Sequence, residues 1–243
     1  MIIVNADDWG RSPAQTDTSL ACFAAGRITS VSAMMFMSDS ARAADLAKNA
    51  HMDVGLHLNF SLPFTGSCQN ETLRKYHDRV IQFTTRSKYA RVLYNPGLRK
   101  EFHYLYRAQV EEYCRLYGRS PSHINGHWHL HLCMNMLLDR IIPRQEKVRR
   151  SWHFLPGERN VMNRTYRRLI DLVLERRYRT TRYFFSLAHC LEENRMTLVA
   201  ELAADETVEL MTHPAKEAEY AHLMGEEYLQ WLSRLKLGNF SSL

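Results

Sequence analysis

Between residues 123 and 131 the chain reads His-Ile-Asn-Gly-His-Trp-His-Leu-His, with histidine at 123, 127, 129 and 131. In an extended strand, side chains two apart share a face. The spacing therefore predicts a wall of imidazoles with Asn125 among them. A helix would scatter the four rings and bring only i,i+4 pairs together. Such a wall suits a soft or borderline divalent metal, or proton transfer near neutral pH. Gly126 stands where a strand end can bend or approach a ligand closely. A single histidine would read as part of a hydrogen-bonded polar patch; four at this spacing read as metal or catalytic chemistry.

Three other places carry reactive groups. Asp7-Asp8 follows the apolar run Ile2-Ile3-Val4, and adjacent carboxylates are costly unless a cation offsets their repulsion. Asp and Gly are also common turn residues, which is the plainer reading of Asp7-Asp8-Trp9-Gly10. His57 lies in an alternating run where Val54, Leu56 and Leu58 face one way and Gly55, His57 and Asn59 the other. His213-Pro214 closes an apolar stretch near the C-terminus.

The elements that must position these groups follow from periodicity. Strands are expected over 2–6, 29–36, 53–59, the histidine run, 147–152, 181–186 and 207–212. Helices are expected over 15–25, 40–49 with Ser38-Asp39 as cap, 101–117, 132–142, 163–178, 191–204 and 217–235. Residues 60–100 break this rhythm, and long insertions of that kind often cover active sites. Strand alternating with helix argues an α/β fold with a mostly parallel sheet. The reactive residues fall at or near strand C-terminal ends, the face where a parallel barrel gathers its active site. A carboxylate and two imidazoles with open coordination positions suit a catalytic divalent metal. A spare carboxylate nearby can serve as general base and a separate histidine as general acid.

The chain of 243 residues, 45% hydrophobic and 24% charged, has enough apolar material for a core without staples. Its net charge of +6 is carried by scattered arginines, concentrated between 147 and 182. That excess is too dispersed to indicate nucleic acid. It suits an anionic substrate, a membrane surface or a plain solvated exterior. Cys22, Cys68, Cys114, Cys133 and Cys190 are widely spaced without a C-x-x-C, so reduced thiols in a cytoplasmic protein are expected. No basic leader with an apolar run opens the sequence, and no apolar stretch approaches membrane-spanning length.

Four motifs taken together resemble the YdjC-like carbohydrate deacetylase family. They are Asn5-Ala6-Asp7-Asp8-Trp9-Gly10, Gly55-Leu56-His57-Leu58-Asn59, the 123–131 histidine run, and Glu209-Leu210-Met211-Thr212-His213-Pro214, in the family's order and across nearly the whole chain. The resemblance implies a single domain over 1–243 with a distorted TIM-like (β/α) barrel. It also implies metal-dependent N-deacetylation of an acetylated amino sugar, free, oligomeric or lipid-linked, with release of acetate. Carried over by position, Asp8, His57 and His127 are metal ligands, Asp7 the general base and His213 the general acid. The roles of His129 and His131 stay open. Histidine ligands favour a zinc-like ion, with magnesium also compatible. The expected partner is the amino-sugar substrate, with membrane-surface contact if that substrate is lipid-linked, and no nucleic acid. The family usually carries Asp where this chain has Asn125, and commonly Phe where Trp9 stands; Asn125 removes a negative charge beside the metal wall. Rival readings are another metal hydrolase, such as a phosphoesterase, and a non-catalytic glycan-binding relative. The second has no use for both an acid and a base.

Overall fold

Every residue of Ile2–Trp9 is buried, and this run forms β1, an inner strand of the sheet in the computed structural model. The structure describes residues 1–87, 89–153 and 160–243. Lys88, in the 60–100 stretch, and residues 154–159, in the basic region, lie outside these. β1 is apolar over Ile2-Ile3-Val4 rather than alternating, as befits a parallel strand covered on both faces. The other strands are β2 (Ser30–Ala33), β3 (Val54–Leu58), β4 (Ile124–Gly126), β5 (Tyr183–Ser186) and β6 (Val208–Thr212). All pairings are parallel, in the order β4-β3-β2-β1-β6-β5.

The sheet curls into a half-barrel, so the closed TIM-like barrel is realised only in part. Residues 147–152, expected as a strand, make isolated bridges instead: Val148 to Ile124 beside β4, and Lys147 to Arg179 ahead of β5. Consecutive Arg149 and Arg150 point to different acids, Asp7 and Glu209 for the first, Asp171 and Glu175 for the second. These anchors hold the segment extended between the sheet edges without a continuous ladder.

The histidine run also departs from expectation. β4 stops at Gly126, which pairs with Leu58, the last residue of β3. With no neighbour left to pair, residues 127–132 wind into a 3-10 turn, with Trp128 and His129 at φ 54° and 57°. The imidazoles therefore enter separate surroundings instead of lining one extended wall.

Helices occupy the connections: α1 (Pro13–Ala24), α2 (Ser40–Asn49), α3 (Glu71–Thr85), α4 (Arg99–Tyr117), α5 (Met134–Leu138), α6 (Val161–Glu175), α7 (Leu187–Glu192), α8 (Met196–Asp205), α9 (Glu217–Met224) and α10 (Glu226–Leu232). α1 starts two residues earlier than expected, with Pro13 at its first position, and left-handed Gly118 ends α4 as the sequence suggests. The 60–100 stretch holds an unforeseen helix, α3, capped by Asn70 accepting from Leu73 N at 3.0 Å. Its His77 and Thr84 bond the Asn59 and Phe60 carbonyls, tying it to the end of β3. The single helices expected over 191–204 and 217–235 are each divided, the latter at Gly225.

The C-terminal residues pack beneath the sheet. Phe240 stacks on His123 with ring centroids 3.6 Å apart, and its backbone N–H donates to Asp53 Oδ2 at 2.9 Å. His123 is thus a packed core residue. The five cysteines are free. Among the described residues no helix is long and apolar enough to cross a membrane.

Gly55 leaves the room that His123 fills. A Cβ at position 55 would lie 2.3 Å from the His123 ring, which is pinned between Phe240 and Ser32. Gly55→Ala is therefore expected to lower unfolding stability by about 1–3 kcal/mol through overpacking, read by urea denaturation. An unchanged midpoint would contradict this packing.

Candidate metal centre and its buried charge network

Asp7 and Asp8 are neighbours on β1, and a regular strand would send them to opposite faces. A bulge prevents this. Ala6 pairs with Val31 but Trp9 with Ala33, so β1 carries one residue more than β2 across this step. Asp8 takes φ 66°, a left-handed conformation that aspartate tolerates better than most residues. Both carboxylates then reach one side of the sheet.

There Asp8 meets two imidazoles. Its Oδ1 lies 3.0 Å from His127 Nδ1 and 3.4 Å from His57 Nε2, while Oδ2 accepts from Arg11 Nη1 at 2.9 Å. One donor atom from each of Asp8, His57 and His127 lies within 4.8 Å of the others, and all three residues are buried. These are the three expected ligands, drawn from the ends of β1, β3 and β4. One carboxylate and two nitrogens can hold a borderline divalent ion and leave positions open. Burial raises the Asp8 pKa, but hydrogen bonds from His127 and His57 outweigh it and hold the carboxyl well below the usual range. Burial disfavours charged His57, yet Asp7 and Asp8 together raise its pKa.

Asp7 faces inward, to Arg149. The guanidinium donates from Nη1 to Oδ2 at 2.6 Å and from Nη2 to Oδ1 at 2.8 Å, and Asn5 Nδ2 also donates to Oδ1. Arg149 is fully buried, donates from Nε to Glu209 Oε1 at 2.7 Å, and lies over the Phe184 ring. Burial pushes the Asp7 pKa up; Arg149 and His57 outweigh that and hold it well below the carboxylate range. Glu209 is served less well. Its Oε2 has no hydrogen-bond partner, and burial leaves its pKa raised despite Arg149.

Asn125 stands between the two halves of the site. Its amide reaches His57 Nδ1 and Arg149 Nη2, each at 2.8 Å, as well as Ser32 Oγ. One carbonyl oxygen cannot accept from both His57 and the guanidinium. The orientation that satisfies every contact has Oδ1 accepting from Ser32 and Arg149 and Nδ2 donating to His57 Nδ1.

His213, directly after β6, is partly exposed. Its backbone N–H and the Thr212 hydroxyl donate to Glu219 Oε2, and its Nδ1 lies 3.8 Å from Glu219 Oε1. These hydrogen bonds outweigh burial and lower the Glu219 pKa. His131 donates from Nε2 to the Arg149 carbonyl at 3.1 Å, and burial lowers its pKa to about 3. His129 packs edge-on against Trp152 and Phe184, with its pKa pushed well below the usual range by burial. The sequence reading assigned nothing to Arg149, Glu209 or Glu219. Glu209 carried a usable signal: a carboxylate inside an apolar parallel strand requires a cationic partner.

The YdjC-like protein family matches residues 1–234. A carbohydrate deacetylase of Danio rerio is 34% identical over 134 residues, covering 54% of this chain and 42% of that protein. A carbohydrate deacetylase of Mus musculus is 30% identical over 136 residues, 54% of this chain and 43% of its own. A chitooligosaccharide deacetylase of Proteus mirabilis strain HI4320 is 30% identical over 138 residues, 54% of this chain and 50% of its own. In these alignments the chain spans about half the length of the relatives it matches. A crystal structure from Enterococcus faecalis V583, described as a candidate cellobiose-phosphate cleavage protein, superposes with TM-score 0.70. It covers 99% of this chain and 97% of that one at 18% identity, a likeness of fold.

Arg149→Met removes the cation shared by two buried carboxylates, and a loss of about 3–5 kcal/mol is expected near neutral pH. In the natural chain the depressed Asp7 pKa gives stability that is present above the unfolded carboxylate range and lost as pH falls. In the variant, burial without Arg149 raises both carboxyls, so stability is retained below that range and lost as pH rises. The gap between the two proteins should therefore narrow between about pH 7 and about pH 4 in urea titrations. A gap independent of pH would contradict the network.

Proposed function

This chain belongs to the YdjC-like protein family, and from that premise we propose that it hydrolyses the N-acetyl group of an acetylated amino sugar at a divalent metal held by Asp8, His57 and His127. The observation that carries this reading is the convergence of those three buried ligands beside a second, separately anchored carboxylate, Asp7. The deacetylase names of the relatives support it. The paired imidazoles favour a zinc-like ion over magnesium. When bound, such an ion supplies Lewis acidity toward the acetyl carbonyl and makes water more acidic.

The remaining chemistry belongs to the chain. Asp7 is ionised across the ordinary pH range, so it enters as proton acceptor from the attacking water. Arg149 and Asn5 fix its carboxylate, which limits its basicity but sets its direction. His213 delivers the proton to the departing amine nitrogen, and Glu219 fixes the backbone and ring of His213 from behind. His131 acts through the Arg149 backbone as a positioning residue. The 60–100 stretch, whose Gly66 N donates to Phe36 O and whose Thr65 Oγ1 accepts from Ser38 N in the segment after β2, sets which sugar fits.

Acetate release from mono-, oligo- and lipid-linked N-acetyl amino sugars tests the activity. Asp7→Asn and His213→Ala should each keep bound metal and lose turnover by about 10²–10⁴. His57→Ala and His127→Ala should lose the metal itself. Phosphate release in place of acetate, or normal metal content in both ligand variants, would overturn the proposal.

Asn125 adds a prediction about affinity. Ligation through His57 Nε2 needs the proton on Nδ1, but the satisfied amide orientation donates to Nδ1. A carboxylate at 125 would accept from both His57 and Arg149. Asn125→Asp should therefore tighten zinc binding by about tenfold or more, measured by competition with a chromophoric chelator. Unchanged affinity would show that the amide imposes no penalty.

A further inference from the structure

Helix α6 presents two unlike faces. Ile170 and Leu174 turn inward and are buried. On the opposite side Val161, Met162, Leu169, Leu172 and Val173 are 73, 81, 57, 42 and 45% exposed. At 3.6 residues per turn these five fall in one arc of about 120°. A soluble surface helix ordinarily turns charge outward. This one turns outward an apolar stripe over its first turn and its C-terminal half, with Thr165 between them.

Arginine frames the stripe. Arg164 and Arg168 lie along one border and Arg176 near its end, all exposed. None of the three has an acidic partner among the described residues. The acids of the helix, Asp171 and Glu175, are taken up by Arg150. Beside the stripe opens a cavity of about 610 Å³ lined by Arg164, Arg167 and Arg168 and by Arg150 and Arg182 with their acidic partners Asp171 and Glu175. An apolar strip bordered by Arg164 and Arg168, which have no acidic partner among the described residues, matches a surface that is oily within and anionic at its edge.

We propose that α6 is an interfacial helix that docks this protein on an anionic lipid bilayer. The apolar stripe enters the headgroup–acyl boundary, and the arginines bind lipid phosphates. A second copy of the chain is the poorer occupant. Twofold pairing of the stripe would bring the bordering arginines of both copies together. A soluble phosphate would leave the stripe uncovered. The proposal does not depend on the deacetylase reading, since it concerns a different surface.

Co-sedimentation of the full chain with vesicles of phosphatidylcholine alone, or mixed with phosphatidylglycerol, tests this, alongside light scattering without lipid. The natural chain should bind the mixed vesicles, release at high salt and be monomeric through this face. Leu169→Asp with Val173→Asp, and separately Arg164→Glu with Arg168→Glu, should each weaken binding by about tenfold or more. Their circular dichroism should match the natural chain; if a variant misfolds, the comparison of vesicle types with the natural chain decides alone. No binding, equal binding to both vesicle types, or a dimer abolished by Leu169→Asp would each overturn the proposal.

Discussion

A single buried guanidinium organises the interior of this half-barrel. The Arg149 side chain is fully buried, and three different strands converge on it: Asp7 from β1, Glu209 from β6 and Asn125 from β4. A lone buried cation would be far too costly to keep charged, so the carboxylates around it are a physical necessity. The same ion pairs fix where Asp7 points, and the bulge that frees Asp8 from that direction leaves it to the imidazoles. Structure and candidate chemistry therefore share one network. His131 extends it outward by holding the Arg149 backbone, which gives one of the surplus histidines a concrete role.

That network divides the site into two electrostatic compartments. One is saturated: Asp7 with Arg149 and Asn5, held low in pKa and directionally fixed. The other, Asp8 with His57, His127 and the partly exposed Arg11, gathers ligand-type atoms. Asn125 connects them, its oxygen accepting from Arg149 and its amide nitrogen donating to His57 Nδ1. A carboxylate would satisfy both sides, so the amide at 125 couples the compartment of ligand-type atoms to the arginine compartment.

Much of this was legible in the sequence, for identifiable reasons. Strand ends offered Asp7-Asp8, His57, the histidine run and His213 as reactive groups, the family resemblance picked Asp8, His57 and His127 from among them, and the structure brings those three together. The α/β alternation was equally legible from periodicity. What periodicity could not report is where a ladder loses its partner. Residues 127–132 have strand-like spacing, but β3 ends opposite Gly126, and the chain coils. Nor could it distinguish Arg149 from the surrounding arginines, since only the fold determines which of them is swallowed by the sheet. The helix α3 was hidden by glycine and proline in the stretches around it, although Asn70 and Glu71 mark its start.

The central claim is that Asp8, His57 and His127 hold a metal on which the chemistry depends. Anomalous diffraction from crystals grown with zinc, recorded on both sides of the zinc absorption edge, tests it most directly. The account predicts one strong peak about 2.0–2.2 Å from a donor atom of each of the three residues. A peak elsewhere with this cluster empty, or no peak in protein that still releases acetate, would contradict it.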